Sequence, residues 1–267
     1  MLLTAAQIVG GMLSGSLSLI ADALHNFSDA ASLLIALVAI RIGRKPPDKF
    51  KSFGYKRAET IAALINLTTL ILIGIYLVIE AVKRLYAPED VEGWTVVIVA
   101  AIALLVDIFT AILTYTHSKD SFNIKAAFLH NVTDALASVG VIIAGTLILL
   151  YGWVWVDTAM TVVIASYVLW LSICEMPKVI HLLMEGTPEG IVIEEVVNAM
   201  EGIEGVKGVH HVHIWQLDEQ RNALEAHVVL DDVIRIDDVK CAIKSVLKKK
   251  FKIAHSTLEF EDNHCKA

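Results

Sequence analysis

Charge is scarce in this 267-residue chain. Asp, Glu, Lys and Arg make up 19% of it and hydrophobic residues 56%, with a mean hydropathy of +0.63. Soluble domains carry roughly a quarter charged residues, so this composition argues for a membrane protein. Cysteine is also rare: Cys174, Cys241 and Cys265 stand far apart and give no disulfide framework. The opening "MLLTAAQIVGGMLSG" lacks the basic n-region and cleavage site of a signal peptide. Neither HExxH nor GxSxG occurs, which removes the usual marks of a metalloprotease or a serine hydrolase. Nothing points to nucleic acid. The lysines of "KSVLKKKF" read as the solvated end of a helix, with contact to anionic lipid as the alternative.

What the chain has is long apolar runs, each near the roughly 20 residues that cross a bilayer. They predict spans at 20–42, 59–81, 94–116, 126–151 and 157–176. The first fifteen residues are too short to cross alone and read as the second half of a first span, giving six spans with the first truncated. Lys and Arg set the orientation. Arg41, Arg44, Lys45, Lys49, Lys51, Lys56 and Arg57 lie between the second and third spans, and "HSKDSFNIK" adds Lys119 and Lys125. "YGWVWV" has no basic residue and "LYAPEDVEGW" is acidic, so the basic loops and the C-terminal region share the cytoplasmic side. The host membrane is expected to be the inner or plasma membrane of the cell.

The net charge of −7 conceals an asymmetry, because residues 181–267 carry a large share of both signs. There the periodicity changes. "IVIEEVVNAMEGI" and "IDDVKCAIKSVLKKKF" have helical spacing, whereas "VKGVHHVHIWQLDE", "NALEAHVVLDD" and "HSTLEFED" read as strands. The α-β-β-α-β order predicts a small α+β domain, helices on one face of an antiparallel sheet. The expected division is a transmembrane domain over 1–180 and a cytoplasmic domain over 181–267.

Against this apolar background, "LIADALHNFSDAASLL" places His25 and Asp29 mid-span, and "AFLHNVTDALASVGV" repeats the pattern with His130 and Asp134. Four residues are one helical turn, so each helix offers an imidazole and a carboxylate on one face. Ionised groups at membrane depth are expensive and mark function. Two such faces opposed make a His2Asp2 set, the ligand types and number of tetrahedral zinc. A divalent cation neutralises both aspartates; without it protons must, so metal and protons compete for the same groups. Exchange of one for the other is the chemistry of an antiporter. Asp22 reads either as a supporting or proton-accepting group or as a helix cap, and Asp107 as a candidate for proton passage.

"LSGSLSLIADALHNFSD", "FGYKRAETIAALIN", "AFLHNVTDALASVGV" and "GVHHVHIWQL" resemble the cation diffusion facilitator family, on its zinc-transporting branch, over almost the whole chain. The resemblance implies a homodimer of six-span subunits with a ferredoxin-like cytoplasmic domain. It also implies export of cytosolic Zn2+ in exchange for protons, Cd2+ or Co2+ being possible cargo, and no prosthetic group. It assigns transport to His25, Asp29, His130 and Asp134, and a cytoplasmic metal site to His210, His227 and Glu261. Two departures stand out. "YTHSKDSFNIK" holds only His117 where relatives carry a His-rich loop, and "PPDKFKSFGYKR" keeps Asp48 but has Lys51 and Tyr55 where a second loop metal would need histidines.

In "GVHHVHIW" strand alternation puts His211 and His213 on one face and His210 on the other, while Val212 and Trp215 read as core. His211, His213, His264 and Cys265 are possible additional ligands. The competing functions are an intramembrane zinc-dependent hydrolase and a passive channel or metal-sensing membrane protein. A catalytic zinc keeps three protein ligands and a water, whereas four ligands are available here.

Overall fold

Six helices grow from the apolar runs, and most outrun them. A computed structural model describes residues 2–115, 122–218, 221–231 and 236–261. It contains α1 (Leu2–Ser14), α2 (Leu17–Gly43), α3 (Arg57–Tyr86), α4 (Gly93–Tyr115), α5 (Phe122–Tyr151) and α6 (Trp155–Leu183). Five of these, α2 to α6, are long and apolar enough to cross a membrane; α1 is a shorter apolar helix. α3 runs past the predicted end of its span because Glu80, Lys83 and Arg84 continue the helix with polar side chains. α6 runs on through Pro177 to Leu183.

The chain forms two compact units, Met1–Ala36 with Ile65–Glu175 and Leu37–Leu64 with Met176–Ala267. In the first, the buried cluster joins Leu17, Leu19 and Ala21 of α2 to Leu77 and Ala81 of α3, Val96 and Ala100 of α4, Val141 of α5, and Ile164 and Ala165 of α6. Alanines at these contacts let backbones approach, as in other membrane helix interfaces. The α1–α2 turn needs Gly15: its φ is +69°, and a Cβ there would stand 2.7 Å from the Asp90 carbonyl oxygen.

The start of α2 is capped twice. Ser16 Oγ accepts from the Leu19 N–H at 3.1 Å, as an N-cap serine does. Asp157, in the first turn of α6, then accepts from the Leu17 N–H (2.8 Å), the Ser18 N–H (3.3 Å), Ser16 Oγ (2.5 Å) and Ser18 Oγ (2.6 Å). These donors satisfy a carboxylate that is only 1% exposed.

In the second unit, α7 (Ile193–Glu201), β1 (Val206–Asp218), β2 (Arg221–Leu230), α8 (Ile236–Phe251) and β3 (Ile253–Glu261) form the α+β domain. The sheet order is β1-β2-β3. β1 and β2 are antiparallel, but β2 and β3 are parallel, so the sheet is mixed rather than antiparallel. The cause is the connection: α8 carries the chain back across the sheet, and a helical crossover returns the next strand parallel to the last. Val239, Ile243, Leu247 and Phe251 make a buried stripe at every fourth residue of α8. Each such side chain contributes about 2 kcal/mol of burial, which holds a lysine-rich helix on the sheet. They pack with Leu224, Ala226, Val228 and Leu230 of β2. Alternation therefore leaves Glu225 and His227 on the opposite face of the strand.

Within this unit Arg57, first residue of α3, donates to the Leu217 and Gln216 carbonyl oxygens and pairs with Glu185 at 3.3 Å.

Candidate metal centres

The two His–Asp pairs meet. His25 Nε2 lies 3.5 Å from Asp29 Oδ2 and 3.5 Å from Asp134 Oδ1. His130 Nε2 lies 3.1 Å from Asp29 Oδ2 and 3.4 Å from Asp134 Oδ2. Imidazole and carboxylate thus alternate around a ring drawn from α2 and α5. With bonds of 2.0–2.1 Å, neighbouring ligand atoms of a tetrahedral zinc stand about 3.3 Å apart; the four contacts have that length, but the two to Asp134 use different oxygens, and His130 stands outside the closest group. Ligand atoms of His25, Asp29 and Asp134 lie within 4.8 Å of one another. His25 Nδ1 is buried with no hydrogen-bond partner among the described residues, and the buried Asp29 Oδ2 and Asp134 Oδ1 face imidazole Nε2 atoms. Imidazole nitrogens and carboxylate oxygens gathered in this way could hold a divalent cation. Side-chain exposure is 48% for His130 and 31% for Asp29, against 13% for His25 and 9% for Asp134. The ring is therefore open on its His130–Asp29 side.

Further polar groups, which the sequence left without partners, surround it. Asp22 is buried and accepts from Gln7 Nε2 at 2.6 Å; Asn26 Nδ2 in turn donates to Gln7 Oε1 at 3.2 Å. A place inside α2 with these partners removes the capping reading of Asp22, because the caps of α2 are Ser16 and Asp157. Asp107 is buried on α4 and accepts from Ser138 Oγ at 2.9 Å. Asn66 Oδ1 on α3 accepts from Ser28 Oγ at 3.4 Å and from Ser32 Oγ. Polar residues at buried positions of a span were visible in the sequence; their partners were not.

In the α+β domain, His210 and His227 face each other across β1 and β2. His210 Nε2 lies 3.2 Å from Glu261 Oε2, and His227 Nδ1 lies 2.7 Å from Glu261 Oε1. One ligand atom from each lies within 4.8 Å of the others. Two imidazoles and a carboxylate with both oxygens engaged are a donor set that suits zinc or a similar divalent ion. Glu259 adds a carboxylate 3.4 Å from His227 Nε2.

Simple alternation fails in β1. A register shift falls between His210 and His213, and His211 takes a left-handed backbone with φ of 51°, as a β-bulge allows. His211 is consequently not segregated from the others: its ring is 4.8 Å from that of His227 and 4.7 Å from that of His213. Downstream of the bulge Ile214 is the buried residue. Trp215 is half-buried and outside the core cluster, while Val212 packs against it. His264 and Cys265 lie outside the described residues.

The loop after α2 spends its carboxylate internally. Asp48 accepts from the Phe50 and Lys51 N–H groups at 2.8 and 2.9 Å and from the Tyr55 hydroxyl at 2.7 Å. The Tyr55 hydroxyl, helped by those amides, holds the Asp48 carboxyl below the usual carboxylate range, and the same bond raises the Tyr55 phenol.

Comparison with known proteins covers nearly the whole chain. Residues 1–184 match the cation efflux transmembrane domain and residues 188–263 the cation efflux protein cytoplasmic domain. A Bacillus subtilis cadmium, cobalt and zinc/H(+)-K(+) antiporter is 37% identical over 260 residues, covering 96% of this chain and 83% of that protein. The metal cation efflux system protein CzcD of Cupriavidus metallidurans is 36% identical, covering 97% and 83%. The zinc transporter ZitB of Escherichia coli is 35% identical, with the same coverage. The chain belongs to the cation efflux family of integral membrane metal transporters, with its C-terminal domain in the cytoplasm.

Proposed function

We propose that this chain, as a homodimer, exports Zn2+ from the cytosol in exchange for protons through His25, Asp29, His130 and Asp134. Cd2+ and Co2+ are further cargo, in keeping with the name of the Bacillus subtilis relative. The observation that carries the reading is the alternating ring of imidazole and carboxylate, at contacts of 3.1 to 3.5 Å. Loading Zn2+ compensates both aspartates; unloading requires a proton on the groups that the metal leaves. All four ligands come from the protein, which leaves no position for a catalytic water and speaks for transport over hydrolysis.

The test is zinc uptake by inside-out vesicles or proteoliposomes. An acidic lumen is expected to drive uptake, a protonophore to collapse it, and alkalinisation of the lumen to accompany each zinc pulse. Uptake indifferent to the proton gradient would refute exchange. Because one relative is named for H+ and K+ together, replacing K+ by choline in the same vesicles identifies the second counter-ion.

His210, His227 and Glu261 form a separate metal site in the cytoplasmic domain. His210→Ala with Glu261→Ala is expected to lower zinc bound per chain while flux falls without vanishing. A dimeric, well-expressed double variant with no flux at all would make that site obligatory. Loss of first-coordination ligands costs more than the 10–100-fold typical of groups behind them, so retained flux is a sharp result.

A further inference from the structure

We propose that Ser28, Ser32 and Asn66 form a second, weak cation station on the cytoplasmic approach to the transport ring, taking a partly hydrated divalent ion. The inference rests on reading that ring as the transport site. Since α6 leads into the cytoplasmic domain, alternation places the α2 C-terminus and the α3 N-terminus on the cytoplasmic side. Ser32 lies three residues beyond Asp29, about 4.5 Å nearer the cytoplasm, and seven beyond His25 on the same face. Asn66 brings its amide oxygen to both serine hydroxyls from α3. Ser28 is buried, and Ser32 Oγ also donates to the Ser28 carbonyl at 2.6 Å.

The packing of the membrane unit points the same way. Every member of its buried cluster, from Leu17 and Leu19 to Ile164 and Ala165, lies in the outward half of its helix. Beside His25 a small cavity is lined by Leu70, Ile73, Leu77, Ile164 and Val168 among others. On the cytoplasmic side of the ring α2 and α3 present the neutral oxygens of Ser32 and Asn66, where the outward side presents the Asp22 carboxylate. A hydrated Zn2+ must shed water to reach a four-coordinate site, and fixed hydroxyl and amide oxygens can replace part of its shell. Being neutral, they bind weakly enough to release it onward. The same oxygens tie α2 to α3, as polar pairs in membranes do; glue and station differ in what their removal changes.

The experiment is stopped-flow proton release on zinc binding by the full chain in nanodiscs, with His210→Ala and Glu261→Ala so that the membrane site alone reports. Asn66→Leu and the pair Ser28→Ala/Ser32→Ala are each expected to slow the release about tenfold, the scale of one polar contact to an ion. Equilibrium zinc affinity and thermal midpoint should stay unchanged. Asn66→Asp, which keeps the oxygen, should release at least as fast as the parent. Unchanged rates in both oxygen-removing variants, or slowing only in step with a lowered thermal midpoint, would overturn the station. Proton release that survives Asp134→Ala would instead overturn the ring as transport site, and the station with it.

Discussion

Alanine in place of Asp29 or Asp134 is expected to end zinc–proton exchange while leaving the protein folded and dimeric. Each carboxylate contacts both imidazoles of the ring, so in the function proposed its removal takes away a metal ligand and one of the two charges that balance Zn2+. An uncompensated charge at membrane depth is costly. Groups that merely support a metal ligand cost 10–100-fold in affinity when lost; a ligand itself should cost more than about a hundredfold in flux. Stability should not follow. Without metal these two carboxylates crowd one cluster, offset by the imidazoles beside them, so deleting one is expected to leave the metal-free thermal midpoint nearly unchanged. Zinc should raise the midpoint of the parent, because a ligand bound only by the folded state stabilises it. That rise should vanish in both variants. Near-normal vesicle uptake by either one would refute the ring as the site of transport.

The ring was legible in the sequence because its information is local. His25 with Asp29 and His130 with Asp134 are each one helical turn apart, and repetition of the pattern in a second apolar run implied that the two faces meet. The same holds for the spans and for the amphipathic stripe of α8. What escaped was whatever depends on partners distant in the chain. Gln7 with Asp22, Ser138 with Asp107 and Asn66 with Ser32 are side-chain pairs across helices, and no periodicity names a partner across 15 to 34 residues. The parallel β2–β3 pairing was within reach, since a helix of sixteen residues between two strands is a crossover connection. His211 was not. Strict alternation governs a strand until a residue adopts positive φ, and "VHHVH" carries no glycine to announce it. Asp157 looked like an ordinary first-turn acid of α6; its four donors come from residues 16 to 18.

Those donors make Asp157→Ala the most damaging substitution to be expected outside the ring. The carboxylate is buried and closes the N-terminus of α2, where backbone N–H groups and the helix dipole both favour negative charge. Alanine orphans two backbone N–H groups and two hydroxyls in a place water does not readily reach. At about 1–3 kcal/mol for each unsatisfied donor, the loss is on the order of 4 kcal/mol once the serine hydroxyls find other acceptors. The purified protein should show a large fall in thermal midpoint. His25 lies eight residues into the helix that Asp157 anchors, about 12 Å along its axis, so flux should decline with stability rather than ahead of it. Asp157→Asn keeps an acceptor but turns an amide donor toward the donors, and should fall between parent and alanine. A triple variant, Ser16→Ala and Ser18→Ala with Asp157→Ala, supplies the internal check. It removes the orphaned hydroxyls, so its loss should be smaller than the sum of the separate losses, as coupled sites require. Full additivity, or a midpoint for Asp157→Ala equal to that of the parent, would mean that α2 is held at its outer end by apolar packing alone.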